Sequence, residues 1–132
     1  MTIVGLAVAG YLSIGPLAVD MCVTNWENGG QSGDQMSVCD TPANLKVPNL
    51  TTHTEGLHSG CQRSINTSSN WSDCISSARV SSMPAAQRVR WYQDINYGNA
   101  LACVDANGTT NIDLTGSAND LISSFRVEGG NC

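Results

Sequence analysis

Residues 72–80 read Ser-Asp-Cys-Ile-Ser-Ser-Ala-Arg-Val, and residues 119–127 read Asn-Asp-Leu-Ile-Ser-Ser-Phe-Arg-Val. Six of the nine positions coincide at an offset of 47 residues. A period of this size marks the duplication of a supersecondary unit. Both copies follow the same local logic. Asn or Asp opens a turn and offers oxygens to backbone N–H groups. The run after Ile then alternates into a strand.

Upstream of the second copy, Val89-Arg90-Trp91-Tyr92-Gln93-Asp94 and Ala100-Leu101-Ala102-Cys103-Val104-Asp105 alternate and are rich in strand formers. Ile95-Asn96-Tyr97-Gly98-Asn99 between them is turn-like, so the stretch predicts a β-hairpin. Ile112 and Leu114 suit a third strand and Leu121 to Val127 a fourth, the four a Greek key requires. In the first unit, Leu17 to Thr24 is expected as a strand, residues 25–30 as a turn and Gln35 to Asp40 as the return strand. Asp40 to Asp73 is about 18 residues longer than Asp105 to Asp120. That excess predicts an inserted loop at 51–70, pinned by Cys61. Met83-Pro84-Ala85-Ala86 joins the units. The expected division is an apolar segment at 1–16, then one domain at 17–132 with a first Greek key at 17–82 and a second at 87–128.

The 132 residues carry 13% charged side chains, with eleven Asp and Glu against six Lys and Arg, for a net charge of −5. A phosphate-binding surface needs a basic face, so a nucleic-acid partner is not expected. The acids are single and spread, which argues against an acidic disordered tail. Met1 to Val19 is uncharged. It is interrupted by Gly5, Gly10, Gly15 and Pro16, so no membrane span is expected. It reads either as a signal peptide lacking its basic start or as a structural segment, such as a buried strand or an arm packed on a neighbour.

Cys22, Cys39, Cys61, Cys74, Cys103 and Cys132 make an even count with no close pair, which disfavours zinc and predicts three disulfides. Fifteen connectivities remain open. Disulfides imply a secreted, extracellular protein. Sequons at Asn49, Asn66, Asn70 and Asn107 agree with it and predict a glycoprotein.

With these motifs in hand, the chain resembles the βγ-crystallin-like family, whose domains are two Greek keys packed as an all-β sandwich. The family's calcium signature is Asn/Asp, Asn/Asp, two free positions, Ser/Thr, Ser. Asn119-Asp120-Leu121-Ile122-Ser123-Ser124 matches it throughout, and Ser72-Asp73-Cys74-Ile75-Ser76-Ser77 departs only at Ser72. The family's hairpin signature is aromatic, four residues, aromatic, one residue, Gly. Tyr92 and Tyr97 fit, with Asn99 in place of Gly. In the first unit Cys22 and Trp26 are one residue short.

The resemblance implies two Ca2+ sites shared between the repeats, one using Asp120 with Ser76 and the other Asp73 with Ser123. A backbone carbonyl near Gln93 completes one of them. Ca2+ takes six to eight oxygen ligands, and one acid per site implies micromolar or weaker affinity. Without metal, the same Asn, Asp and Ser residues would make turn hydrogen bonds.

No motif marks a nucleophile, so the chain is not expected to be an enzyme. His53 and His58 read as solvated loop residues. Trp26, Trp71, Trp91, Tyr92 and Tyr97 read as core and corner residues rather than as a carbohydrate platform. Three functions follow. The first is a Ca2+-binding structural or stress-related protein. The second is a killer-toxin-like, antimicrobial or effector protein, or a protease inhibitor, with a carbohydrate or protein target. The third is a subunit that self-assembles through its N-terminal segment.

Overall fold

A computed structural model describes residues 20–56, 70–105 and 108–132. The expected arm at 1–16, Cys61, His58, the sequon residues Asn66 and Asn107, and most of the insertion lie outside the described residues.

The strands are β1 (Met21–Asn28), β2 (Ser32–Asp40), β3 (Lys46–Val47), β4 (Ser77–Met83), β5 (Gln87–Tyr92), β6 (Ala100–Asp105), β7 (Gly108–Asp113) and β8 (Ser124–Gly129). They form two four-stranded antiparallel sheets, in the orders β2-β1-β4-β7 and β3-β8-β5-β6. The all-β, two-Greek-key expectation therefore holds, with one change. Neither repeat keeps its four strands together. Each contributes its first, second and fourth strands to one sheet and lends its third, β3 or β7, to the other.

Alternation explains which side chains turn inward. Val89 and Trp91 of β5 face Val127 and Phe125 of β8, and Val23 of β1 faces Val80 of β4, all buried. Trp71, Ile75, Ile122, Leu45 and Leu50 fill the layer between the sheets. Each such large side chain contributes roughly 1.5–3 kcal/mol on burial, so a few aromatics offset the thin aliphatic content.

Some expected boundaries move. β1 starts at Met21 and runs through the expected turn to Asn28, so the hairpin turns at residues 29–31. Trp26 is buried and continues the strand, and the two glycines after Asn28 are where the chain can reverse. Met83 closes β4, and residues 84–86 make the tight turn that joins it to β5. Leu114 follows β7 rather than belonging to it, and β8 begins at Ser124, after the corner.

Two disulfides are defined. Cys22 bonds Cys39, its direct cross-strand partner, and Cys103 of β6 bonds Cys132, tying down the chain after β8. Cys74 is also disulfide-bonded. Closing loops of 17 and 29 residues removes unfolded-chain entropy, worth about 3 kcal/mol for each bridge.

Candidate metal centre

The two corner sequences meet through reciprocal hydrogen bonds. Asp73 N–H donates to the Ile122 carbonyl at 2.8 Å, and Asp120 N–H donates to the Ile75 carbonyl at 3.3 Å. Ser76 N–H donates to the Trp26 carbonyl and Ser123 N–H to the Tyr92 carbonyl, both at 2.9 Å. Asp73 and Asp120 hold φ of 59° and 54°. Asp tolerates this left-handed conformation better than most residues because its short side chain can satisfy nearby backbone.

At the first corner Ser76 Oγ donates to Asp120 Oδ1 at 2.9 Å, and Asn119 Nδ2 donates to Asp120 Oδ2 at 2.9 Å. Asn119 thus orients the carboxylate, while Ser76 reaches it from the other repeat. The chain beside Ser76 is the Trp26–Glu27 segment, held through the Trp26 carbonyl. At the second corner Ser123 Oγ lies 2.9 Å from Ser72 Oγ. Gln93 follows Tyr92, whose carbonyl accepts the Ser123 N–H, so the expected Gln93 segment lies beside Ser123.

The oxygens at the first corner suit a hard cation. Two oxygens 2.9 Å apart can both lie at the roughly 2.3–2.6 Å that Ca2+ prefers. Among the described residues no group of three or more His, Cys, Asp and Glu could hold a metal. A cation here would therefore rest on one carboxylate, a hydroxyl and backbone carbonyls. At the second corner Ser72 replaces the amide that orients the carboxylate in the first, so that corner fits less well.

The same pairings expose a register that sequence reading missed. The hydroxyl of Ser77 donates to the Asn28 carbonyl and accepts from Gln31 N–H, as Ser124 donates to the Asp94 carbonyl and accepts from Tyr97 N–H. Trp26, Gln31 and Gly33 therefore correspond to Tyr92, Tyr97 and Asn99. The Cys22 and Trp26 alignment is incorrect, because it put Trp26 where Gln31 belongs. Gln31 and Tyr97 have φ of 55° and 66°, and Gly33 and Asn99 have φ of 80° and 48°. Asn99 thus supplies the left-handed residue expected of Gly. At Gly33 the φ of 80° favours glycine, and a Cβ there would also displace the end of the Asn28 side chain. Anchoring the two halves on Ser76 and Ser123, rather than on a cysteine, would have found this match and placed Glu27 opposite Gln93.

Two solved structures are similar to this chain in fold. One, from work on the evolution of the eye-lens beta-gamma-crystallin domain fold, is 17% identical and aligns over 82% of this chain and 85% of its own, with a TM-score of 0.53. The other, the N-terminal domain of Protein S, is 21% identical over 84% of this chain and 99% of its own, with a TM-score of 0.50. This chain has the βγ-crystallin fold. No protein-family model matches the sequence, and no curated protein matches it.

The remaining candidates fall into place on this βγ-crystallin frame. Trp26, Trp71, Trp91 and Tyr92 are buried, as expected of core residues, and half-buried Tyr97 packs edge-on against Tyr92. His53 is half-buried, with Nδ1 3.1 Å from the Asn49 carbonyl. The sequon residues Asn49 and Asn70 both cap turns, accepting from Thr51 N–H at 2.9 Å and Ser72 N–H at 3.0 Å. No helix among the described residues is long and apolar enough to cross a membrane.

Proposed function

We propose that this βγ-crystallin-like chain is an extracellular, non-enzymatic structural domain that binds Ca2+ where its two repeats meet. The observation that carries the reading is the Asp120 carboxylate, set in a left-handed turn and met at 2.9 Å by the Ser76 hydroxyl of the other repeat. Asp120 and Ser76 would hold the ion, with backbone carbonyl oxygen from the Trp26–Glu27 segment. Bound Ca2+ would supply positive charge that joins the corners. The chain's own residues do the positioning: Asn119 fixes the carboxylate, and the Ser76 N–H bond to Trp26 fixes the hydroxyl. The Asp73 and Ser123 pair is the weaker second site.

A cation bound by the native state alone stabilises it by mass action. The test compares melting temperature in Ca2+ with that in chelator, on protein freed of metal. A rise with Ca2+ that is lost in Asp120→Ala supports the reading, and an unchanged melting temperature overturns it. The disulfides support an oxidising compartment. Mass analysis for glycans at Asn49 and Asn70 in protein from its native source tests that part separately.

A further inference from the structure

The outer face of the β3-β8-β5-β6 sheet gathers positive charge that its acids do not cancel. Lys46 stands opposite Arg126, Arg126 opposite Arg90, and Arg90 opposite Cys103. Three cations therefore lie side by side in one row across β3, β8 and β5. Arg88, two residues from Arg90, points to the same face. Four of the six Lys and Arg residues share this face in a chain of net charge −5. Like charges directly opposite each other destabilise a sheet, so each cation calls for a counter-charge.

Glu128 serves two of them, pairing with Arg88 and with Arg126 at 2.7 Å each. The Arg126 guanidinium also packs 4.6 Å from the centre of the Tyr97 ring. Lys46 is exposed to water. Arg90 differs from all three. It is half-buried, and its Nε is sealed from solvent with no hydrogen-bond partner among the described residues. Its Nη2 donates to the Cys103 sulfur at 3.8 Å. A disulfide sulfur accepts weakly, so the guanidinium remains short of acceptors.

Arg90 lines a hollow of about 260 Å³ with Ala100, Leu101, Ala102 and Cys103. Ala100, Leu101 and Ala102 form an apolar part of its wall, and polar atoms, the guanidinium included, form a somewhat larger part. A planar guanidinium can take a carboxylate through two parallel hydrogen bonds, and an apolar wall beside it accommodates the body that carries the acid. We infer that the hollow over the paired strands β5 and β6 binds an amphipathic carboxylate, with Arg90 as counter-charge and Leu101 in the apolar part of the wall. None of the corner residues takes part, so this site stands apart from Ca2+ binding.

The test is an NMR titration of the full chain with octanoate, acetate and sulfate, following the Arg90 Nε–H and Leu101 methyl signals. Octanoate is expected to shift both saturably and to bind roughly tenfold tighter than acetate or sulfate, because only it has both the acid and the apolar body. Arg90→Gln is expected to weaken octanoate by about tenfold or more through loss of the charged fork. Arg79→Gln is expected to leave binding unchanged, since that guanidinium packs on Trp26 of the other sheet. No saturable shift with octanoate overturns the proposal. So does unchanged affinity in Arg90→Gln, equal weakening in Arg79→Gln, or sulfate binding as tight as octanoate. If Arg90→Gln does not fold, Arg90→Lys keeps the charge and removes the fork. Unchanged octanoate affinity in that variant also overturns the proposal.

Discussion

Trp91 of β5 donates its indole N–H to Asn25 Oδ1 of β1 at 3.0 Å, across the core that separates the two sheets. Both side chains are fully buried, and Asn25 Nδ2 has no hydrogen-bond partner among the described residues. Removing one member of a buried pair leaves the other unsatisfied, whereas replacing both with apolar groups is far milder. Asn25→Ala should destabilise the fold by about 2–3 kcal/mol, combining an orphaned indole N–H with a small cavity. Asn25→Leu with Trp91→Phe should be less destabilised than the sum of its single variants. Urea unfolding of the four-member cycle measures the coupling.

The two corners predict unequal effects of acid removal. With Ca2+ at roughly one hundred times its dissociation constant, mass action adds about 2.7 kcal/mol. Asp120→Ala should remove most of the calcium-induced rise in melting temperature, and Asp73→Ala a smaller part. Ser72→Asn restores the orienting amide at the second corner and should increase the rise. Calorimetric scans with and without chelator check the order.

Acid sensitivity should centre on Glu128. Burial by itself raises its pKa, but hydrogen bonds from Tyr92, Arg88 and Arg126 outweigh burial and hold the carboxyl at about 2. The folded value lies below the unfolded one, so this stabilisation is complete above about pH 4.5 and is lost as pH falls toward 2. Its full size is of order 3 kcal/mol. Glu128→Gln should be less stable than the natural chain at pH 6 and should show a flatter decline between pH 4.5 and 2. Denaturant midpoints across that window decide it.

The β4–β5 turn carries a removable cost. Ala86 holds φ of 60° while its carbonyl accepts the Gly130 N–H at 3.0 Å. The left-handed region costs an alanine roughly 1–2 kcal/mol, of which the greater freedom of unfolded glycine returns a part. Ala86→Gly should therefore stabilise by about 0.5–1 kcal/mol. Thermal unfolding measures the gain.

What could be read in advance was local. Asn119-Asp120 and Ser72-Asp73 announce turns because short polar side chains serve backbone within a few residues. Val89-Arg90-Trp91-Tyr92 announces a strand because its alternation has the period of the pleat. The six-of-nine repeat needs no geometry, and it sufficed to pair Asp120 with Ser76 through the family resemblance. The first hairpin was misread because Gln31 stands where the signature has its second aromatic, although Trp26 and Gly33 fit its first aromatic and its Gly. Gln31 and Tyr97 share a left-handed backbone rather than a residue type.

The sequence by itself determined the duplication, the β-strands, the corner turns and the even cysteine count. Only the tertiary structure decided that β3 and β7 cross to the opposite sheet, that Cys22 joins Cys39 and Cys103 joins Cys132, and that Arg90 lines a hollow with Leu101 and stands in a row with two other cations. The physical reason is range. Turn chemistry and alternation act over a few residues of one chain segment. Sheet membership, disulfide partners and the charge on a sheet face depend on strands far apart in sequence, which become neighbours only when the shared core is buried.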